Sequence, residues 1–225
     1  RTATRPPPGK SAVTDYTGSE GQFESAAQRE HADTFGMWIF LVTEVLFFGG
    51  LFLAYAIGLL NHGDGFRLAR QETNLPIGAA NTALLLVSSF VMTCALRAAQ
   101  VGRPRALRLL LALCVVLGAT FLALKTYEYV DDYRKHLVPT LDFAWSKPHP
   151  DAARHFFFLY FMMTGLHFVH LTIAVGLTGY LAAIVRPQAP LAGWQARVEV
   201  TSLYWHFVDI IWVLFFALLY LGDRT

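Results

Sequence analysis

The sequence predicts an all-α membrane protein with five transmembrane helices, and three observations carry that prediction. Hydrophobic residues fill 55% of the 225 positions and charged residues only 15%, with a mean hydropathy of +0.42, a balance found in helical membrane proteins. Five stretches, residues 34–60, 74–98, 105–130, 152–185 and 197–221, each supply the roughly 20 apolar residues needed to cross the hydrocarbon. The connections between them are too short to form a soluble domain.

Composition also excludes several function classes. The net charge of +2 is small and its carriers are dispersed, which leaves no basic footprint for nucleic acid. Cys94 and Cys114 sit in apolar runs without a CxxC, so they read as inert packing residues and not as a disulfide or metal framework. Residues 1–33 are polar, include Pro6-Pro7-Pro8 and contain no apolar signal-peptide core. They are expected to form a mobile segment ahead of a membrane domain over 34–225.

Positive charge near the span ends sets the expected orientation. The connection between spans two and three holds Arg97, Arg103, Arg105 and Arg108 with no acidic residue, whereas in the 61–73 connection Arg67 and Arg70 are offset by Asp64 and Glu72. The N-terminus is therefore expected inside and the C-terminus outside, although the outer 131–151 loop also carries Arg134, Lys135 and Lys147.

Within the spans, ionisable and polar residues are the candidate sites, because a charge in hydrocarbon must face other helices or a polar cavity. In span one, Glu44 lies about ten residues in, roughly 15 Å along the axis and near mid-membrane. It reads either as an interhelical hydrogen bond or as a proton-handling group. Gly50, Ala54 and Gly58 form a small-residue stripe on another face, where a neighbouring helix is expected to approach.

Span two opens with Asn74 and Pro76, a cap followed by a first-turn proline. Asn81 and Ser88 then share a face, with Thr82, Ser89 and Thr93 alongside, as interhelical hydrogen-bonding groups and as candidate partners for Glu44. In span three, Lys125 and Glu128 are three apart and are expected to pair near the outer interface, where the lysine can snorkel. That pair reads as a satisfied interfacial contact or as one to lipid headgroups or surface protons.

Span four places His167 and His170 on one face after the aromatic run from His155 to Phe161. Span five places His206 and Asp209 three apart, able to pair or to share a partner, with Trp205 and Trp212 as rigid flanks. Carboxylates and imidazoles together suggest a metal site, but the chain has neither Glu-x-x-His nor His-Glu-x-x-His. No haem-type histidine pair or copper-type cysteine cluster appears either. No catalytic, cofactor-binding or metal residue is therefore expected in this chain.

The motifs resemble those of subunit III of the haem-copper cytochrome c oxidases, in the shorter five-helix bacterial form. They are Thr43-Glu44-Val-Leu-Phe-Phe-Gly-Gly50, Asn81-Thr82-Ala-Leu-Leu-Leu-Val-Ser88, Gly118-Ala-Thr-Phe121 followed by Glu128-Tyr129, and Thr164-Gly165-Leu-His167-Phe-Val-His170. Glu199, seven residues before His206, and Tyr204-Trp-His-Phe-Val-Asp209-Ile-Ile-Trp212 complete the series, which covers all five spans. Two positions depart from it: Lys125 stands where the mitochondrial type has glutamine, and Ala174 where the family has a glycine.

The resemblance implies a subunit without its own redox centre, with haem and copper carried by partner subunits. Spans one and two are expected to form one arm of a V-shaped, phospholipid-holding cleft and spans three to five the other. The chain is expected to dock on catalytic subunit I beside subunit II, to sustain proton uptake and to protect against turnover inactivation. The setting is the bacterial cytoplasmic membrane, with a cytoplasmic N-terminus and periplasmic C-terminus and a possible place in a respiratory supercomplex. Glu44 matches a buried carboxylate beside the lipid cleft, and Glu128, His167, His170, His206 and Asp209 match polar positions of the second bundle. The alternatives are an accessory subunit of a bacterial nitric oxide reductase, or an independent membrane metalloenzyme or transporter. Against a transporter, no internal repeat is visible.

Overall fold

The computed structural model describes residues 26–139, 141, 143–185 and 194–222, with side chains from residue 34 onward. Seven elements follow in order: α1 (Ala26–Asn61), α2 (Gly63–Arg70), α3 (Leu75–Gln100), α4 (Pro104–Arg134), α5 (Pro150–Ile184), α6 (Trp194–Phe216) and a π-helical turn, Ala217–Leu221. Five helices are long and apolar enough to cross a membrane, and they lie within about one turn of the stretches read from sequence. The N-terminal segment expected to be mobile lies outside the described residues as far as residue 25, and helical backbone begins at Ala26.

Local chemistry explains the ends. Asn74 Oδ1 accepts from Ile77 N–H at 3.3 Å and Pro76 sits in the first turn, which starts α3. That helix stops at Gly102, whose φ of +71° is costly for other residues. Gly102 N–H donates to Ala99 O and Arg103 N–H to Ala98 O, the paired bonds of a Schellman cap. Pro104 then starts α4, so α3 and α4 form a tight antiparallel hairpin. At the far end of α4, His136 takes the left-handed position, and Leu137 N–H donates to Asp132 O in the same kind of cap.

The packing centres on α6, the most enclosed span, with 56% of its most apolar stretch buried against 11% for α1. The helix touches α3, α5 and α1, while α3 packs most extensively on α4, and α5 on α4. This differs from the expected V, in which spans one and two form one arm. Here α1 leans on α6 and α5, and α3 leans on α4 and α6. The reason lies in where the polar groups point. The α3 hydroxyls bond to α6, and the α1 carboxylate bonds to α5.

Two further readings change. The stripe expected to receive a neighbouring helix does not do so at Gly50, where an added Cβ would meet nothing within 4 Å. Gly58 is tight against Phe66 of α2, with His155 of α5 in ordinary contact at 3.5 Å. The connection after span one, read as a loop, contains α2, which buries Gly65, Phe66, Ala69 and Arg70. Gly65 sits directly on Ala152 and His149 at the start of α5, where a side chain would have no room. Lys147 pairs with Glu72, tying the connection before α3 to the 131–151 loop.

Candidate functional site

The polar residues of the spans form four separate groups. The first joins α1 to α5. His170 Nε2 lies 3.1 Å from Glu44 Oε2, and the two side chains are 15% and 18% exposed. His170 Nδ1 lies 2.7 Å from Leu166 O. A carbonyl can only accept, so Nδ1 carries a hydrogen. The remaining contact is then either imidazolium to carboxylate or a carboxylic acid donating to neutral Nε2. Either way, the contact ties α1 to α5. Phe48 packs edge-on to the imidazole at 5.2 Å, and Tyr204 OH donates to His170 O at 3.3 Å. None of the polar residues of span two expected as partners for Glu44 bonds it; Asn81 has no partner among the described residues, and the hydroxyls of Thr82, Ser88 and Ser89 bond α6.

They form the second group, the α3–α6 seam. Trp205 Nε1 donates to Ser88 Oγ at 3.2 Å, Trp212 Nε1 donates to Thr82 Oγ1 at 3.1 Å, and Ser89 Oγ meets His206 Nδ1 at 2.8 Å. From Trp205–Ser88 to Trp212–Thr82 the partners descend α3 while ascending α6, which pins the register of two antiparallel helices. Both indoles thus have their N–H groups satisfied, as buried tryptophans require. Gly118 of α4 makes room for this seam, since a Cβ there would fall 2.6 Å from Val175 and 3.1 Å from the Trp205 ring.

His206 and Asp209 do not pair. Ser89 Oγ meets His206 Nδ1 instead. Asp209, Asn81 and His167 are enclosed, and no protein group among the described residues hydrogen-bonds their side-chain polar atoms. His167 is wrapped by the rings of Phe121, Trp212 and Phe215 at 5.2–5.9 Å. It therefore parts company with His170, although the two were expected on one face. A step of three residues turns the helix about 60° short of a full circle, enough to aim one imidazole at the core and the other at α1.

The third group is the most enclosed. Lys125 and Glu128 are each 1% exposed. Lys125 Nζ donates to Glu128 Oε2 at 2.9 Å, to Tyr160 OH at 2.9 Å and to Tyr220 OH at 3.0 Å. Tyr220 OH donates to the other carboxylate oxygen at 2.8 Å. Tyr160 and Trp212 also present their rings to the ammonium at 4.6 and 5.4 Å. The pair forms, but it is enclosed by protein, so the lysine does not snorkel to the surface. Helix α4 continues to Arg134, so Lys125 lies nine residues, about 14 Å, below the helix end. The buried Asp132 follows one turn after Glu128. Tyr129 and Thr164 join their hydroxyls nearby at 2.8 Å.

The fourth group was not read from sequence. Arg70, 3% exposed, donates through Nη2 to Tyr55 OH at 2.7 Å, and Tyr55 OH donates to Leu218 O at 3.0 Å. A cation is thereby held at the C-terminal end of α6, where the helix dipole favours it. The available signal was the 66, 69, 70 spacing of Phe66, Ala69 and Arg70, a helical face inside a stretch read as loop.

Glu199, expected among the interhelical positions, is exposed. Among the described residues, no three His, Cys, Asp or Glu side chains gather to hold a metal ion. The arrangement can clamp helices together, and the chain matches known proteins over most of its length. The family profile described as cytochrome c oxidase subunit III matches residues 13–223. Cytochrome c oxidase subunit 3 of Thermostichus vulcanus is 32% identical over 200 residues, covering 87% of this chain and 90% of that one. The probable cytochrome c oxidase subunit 3 of Nocardia farcinica is 30% identical over 82% of this chain and 85% of its own. The cytochrome bo(3) ubiquinol oxidase subunit 3 of Pseudomonas aeruginosa is 28% identical over 83% of each. With a match across nearly its whole length and all five spans, the chain belongs to the cytochrome c oxidase subunit III family, as the multi-pass third subunit of a multi-subunit haem-copper terminal oxidase.

Proposed function

We propose that this chain is the accessory subunit of a proton-pumping oxidase that takes electrons from cytochrome c, docked on catalytic subunit I and beside subunit II. Its work is to hold phospholipid at that junction and to sustain proton uptake through many turnovers, while the haem and copper of its partners carry the redox chemistry. In a bacterial cytoplasmic membrane, the Arg97, Arg103, Arg105 and Arg108 cluster faces the cytoplasm and the C-terminus faces the periplasm. The relatives named as cytochrome c oxidase subunits favour that electron donor.

The observation that carries the reading is the Glu44–His170 pair. It sets two groups able to exchange a proton 3.1 Å apart between α1 and α5, about ten residues into span one. Glu44→Gln is the informative variant, because a glutamine amide can still donate to Nε2 and keep α1 attached, yet it cannot exchange the proton. The purified complex should retain haem and subunit stoichiometry but lose proton uptake and inactivate after fewer turnovers. A Glu44→Gln complex that takes up protons and survives turnover like the parent would overturn this role. Oxygen consumption with reduced cytochrome c against a quinol separately tests the electron donor.

A further inference from the structure

On an exposed side of α5, away from the Glu44 pair, an apolar groove of about 350 Å3 is lined by Phe158, Phe161, Met162, Gly165, Leu166 and Val169. Val138 and Pro139 of the loop after α4 form its rim. A second cavity of about 320 Å3 shares Pro139 and Phe158 with the first and adds Asp151, Arg154 and His155. The two adjoin at those shared residues: a polar mouth in the first turns of α5 beside an apolar groove along the same helix.

The dimensions suit one occupant. From Phe158 to Val169 the helix rises eleven residues, about 16 Å, close to half of a roughly 30 Å hydrocarbon core and so the depth of one leaflet. Three of the lining side chains, Phe158, Met162 and Val169, are 42–53% exposed, so the groove is open along its length at the apolar surface of the chain. At the mouth, Arg154 Nη2 donates to Pro139 O at 3.1 Å, which holds the guanidinium over the groove with further N–H donors. Asp151 stands one turn earlier in the same cavity, and the helix N-terminus adds partial positive charge. A cation and a carboxylate one helical turn apart complement a zwitterion.

We propose that this groove is a binding site for one phosphatidylethanolamine molecule: phosphate on Arg154, headgroup ammonium on Asp151, and one acyl chain along Phe158, Met162 and Val169. The assignment rests on the lipid-holding role proposed above, and gives it a site and a headgroup. It also supplies a reason for Gly165, whose absent side chain leaves the groove open. An added Cβ there would meet only Tyr129 OH, at 3.9 Å.

The test is native mass spectrometry of the intact, detergent-purified complex, delipidated and then mixed with micelles containing phosphatidylethanolamine, phosphatidylglycerol or phosphatidylcholine. The parent should retain one phosphatidylethanolamine per chain. Arg154→Gln, which removes a charge-assisted phosphate contact, should weaken retention about tenfold or more. Asp151→Asn should erase the preference over phosphatidylglycerol. Gly165→Leu should block the groove without touching a charge, so it reads the site even if Arg154→Gln disturbs assembly. Equal retention by parent, Arg154→Gln and Gly165→Leu overturns the site, as does a groove holding detergent, quinone or another polypeptide segment. Equal retention of the three lipids by the parent overturns the headgroup assignment. Haem content and companion subunits are read in the same spectra. Their loss from the parent would count against the proposed function, whereas an intact complex lacking this lipid would count against the groove alone.

Discussion

Removing the Lys125 ammonium should be the most damaging single change to the bundle. At 2.9 Å from Glu128, and with an effective dielectric constant near 20, the gross attraction is about 6 kcal/mol. Desolvation of both ions offsets most of it, so the net worth of the pair is small. Breaking it is another matter, because Lys125→Met leaves the Glu128 carboxylate enclosed without its cation. Such one-sided removals cost about 3–5 kcal/mol. Tyr160 and Tyr220 lose their common donor at the same time. Adding Glu128→Gln to Lys125→Met removes the stranded charge, and the amide still accepts from Tyr220, so most of the loss should be recovered. The measurement is the thermal midpoint and subunit retention of the detergent-solubilised complex for parent, single and double variants. A Lys125→Met complex as stable as the parent, or a double variant no better than the single, would refute the account of a charge locked by enclosure.

Two smaller changes probe the α3–α6 seam by the same measurement. Gly118→Ala should cost about 1–3 kcal/mol by overpacking, because its Cβ meets the β-branched Val175 and the wide ring of Trp205. A midpoint unchanged from the parent would show that the contact relaxes freely. Ser88→Ala strands the Trp205 N–H and should cost about 1–3 kcal/mol. Combining it with Trp205→Phe should cost less than the two separate effects summed, whereas strict additivity would mean that the bond contributes nothing.

Several site features were open to sequence because they are local. Lys125 and Glu128 had to meet, being one turn apart on one helix, and Asn74 with Pro76 marked the start of α3 through capping chemistry alone. The enclosure of the Lys125 pair was not legible, since it depends on Tyr160 and Tyr220 arriving from other elements. Arg70 was counted as a loop charge because α2 is too short for its apolar face to stand out. Tyr220 gave no warning either. It reaches Glu128 from the π turn at the end of α6, outside ordinary helical spacing.

The long-range partnerships were beyond periodicity altogether. In a membrane span the lipid face and the protein face are both apolar, so no hydrophobic stripe tells a reader which side meets a neighbour. Phe47, Leu53 and Leu86 face outward as freely as Phe48 and Leu85 face inward. By itself the sequence determined five spans and the presence of costly polar groups within them, because hydrocarbon admits only long apolar helices and penalises every exception. Only the tertiary structure decided that Glu44 meets His170 across 126 residues, and that the helices gather around α6 and not as two arms. Those outcomes depend on which side chains can satisfy one another across neighbouring helices.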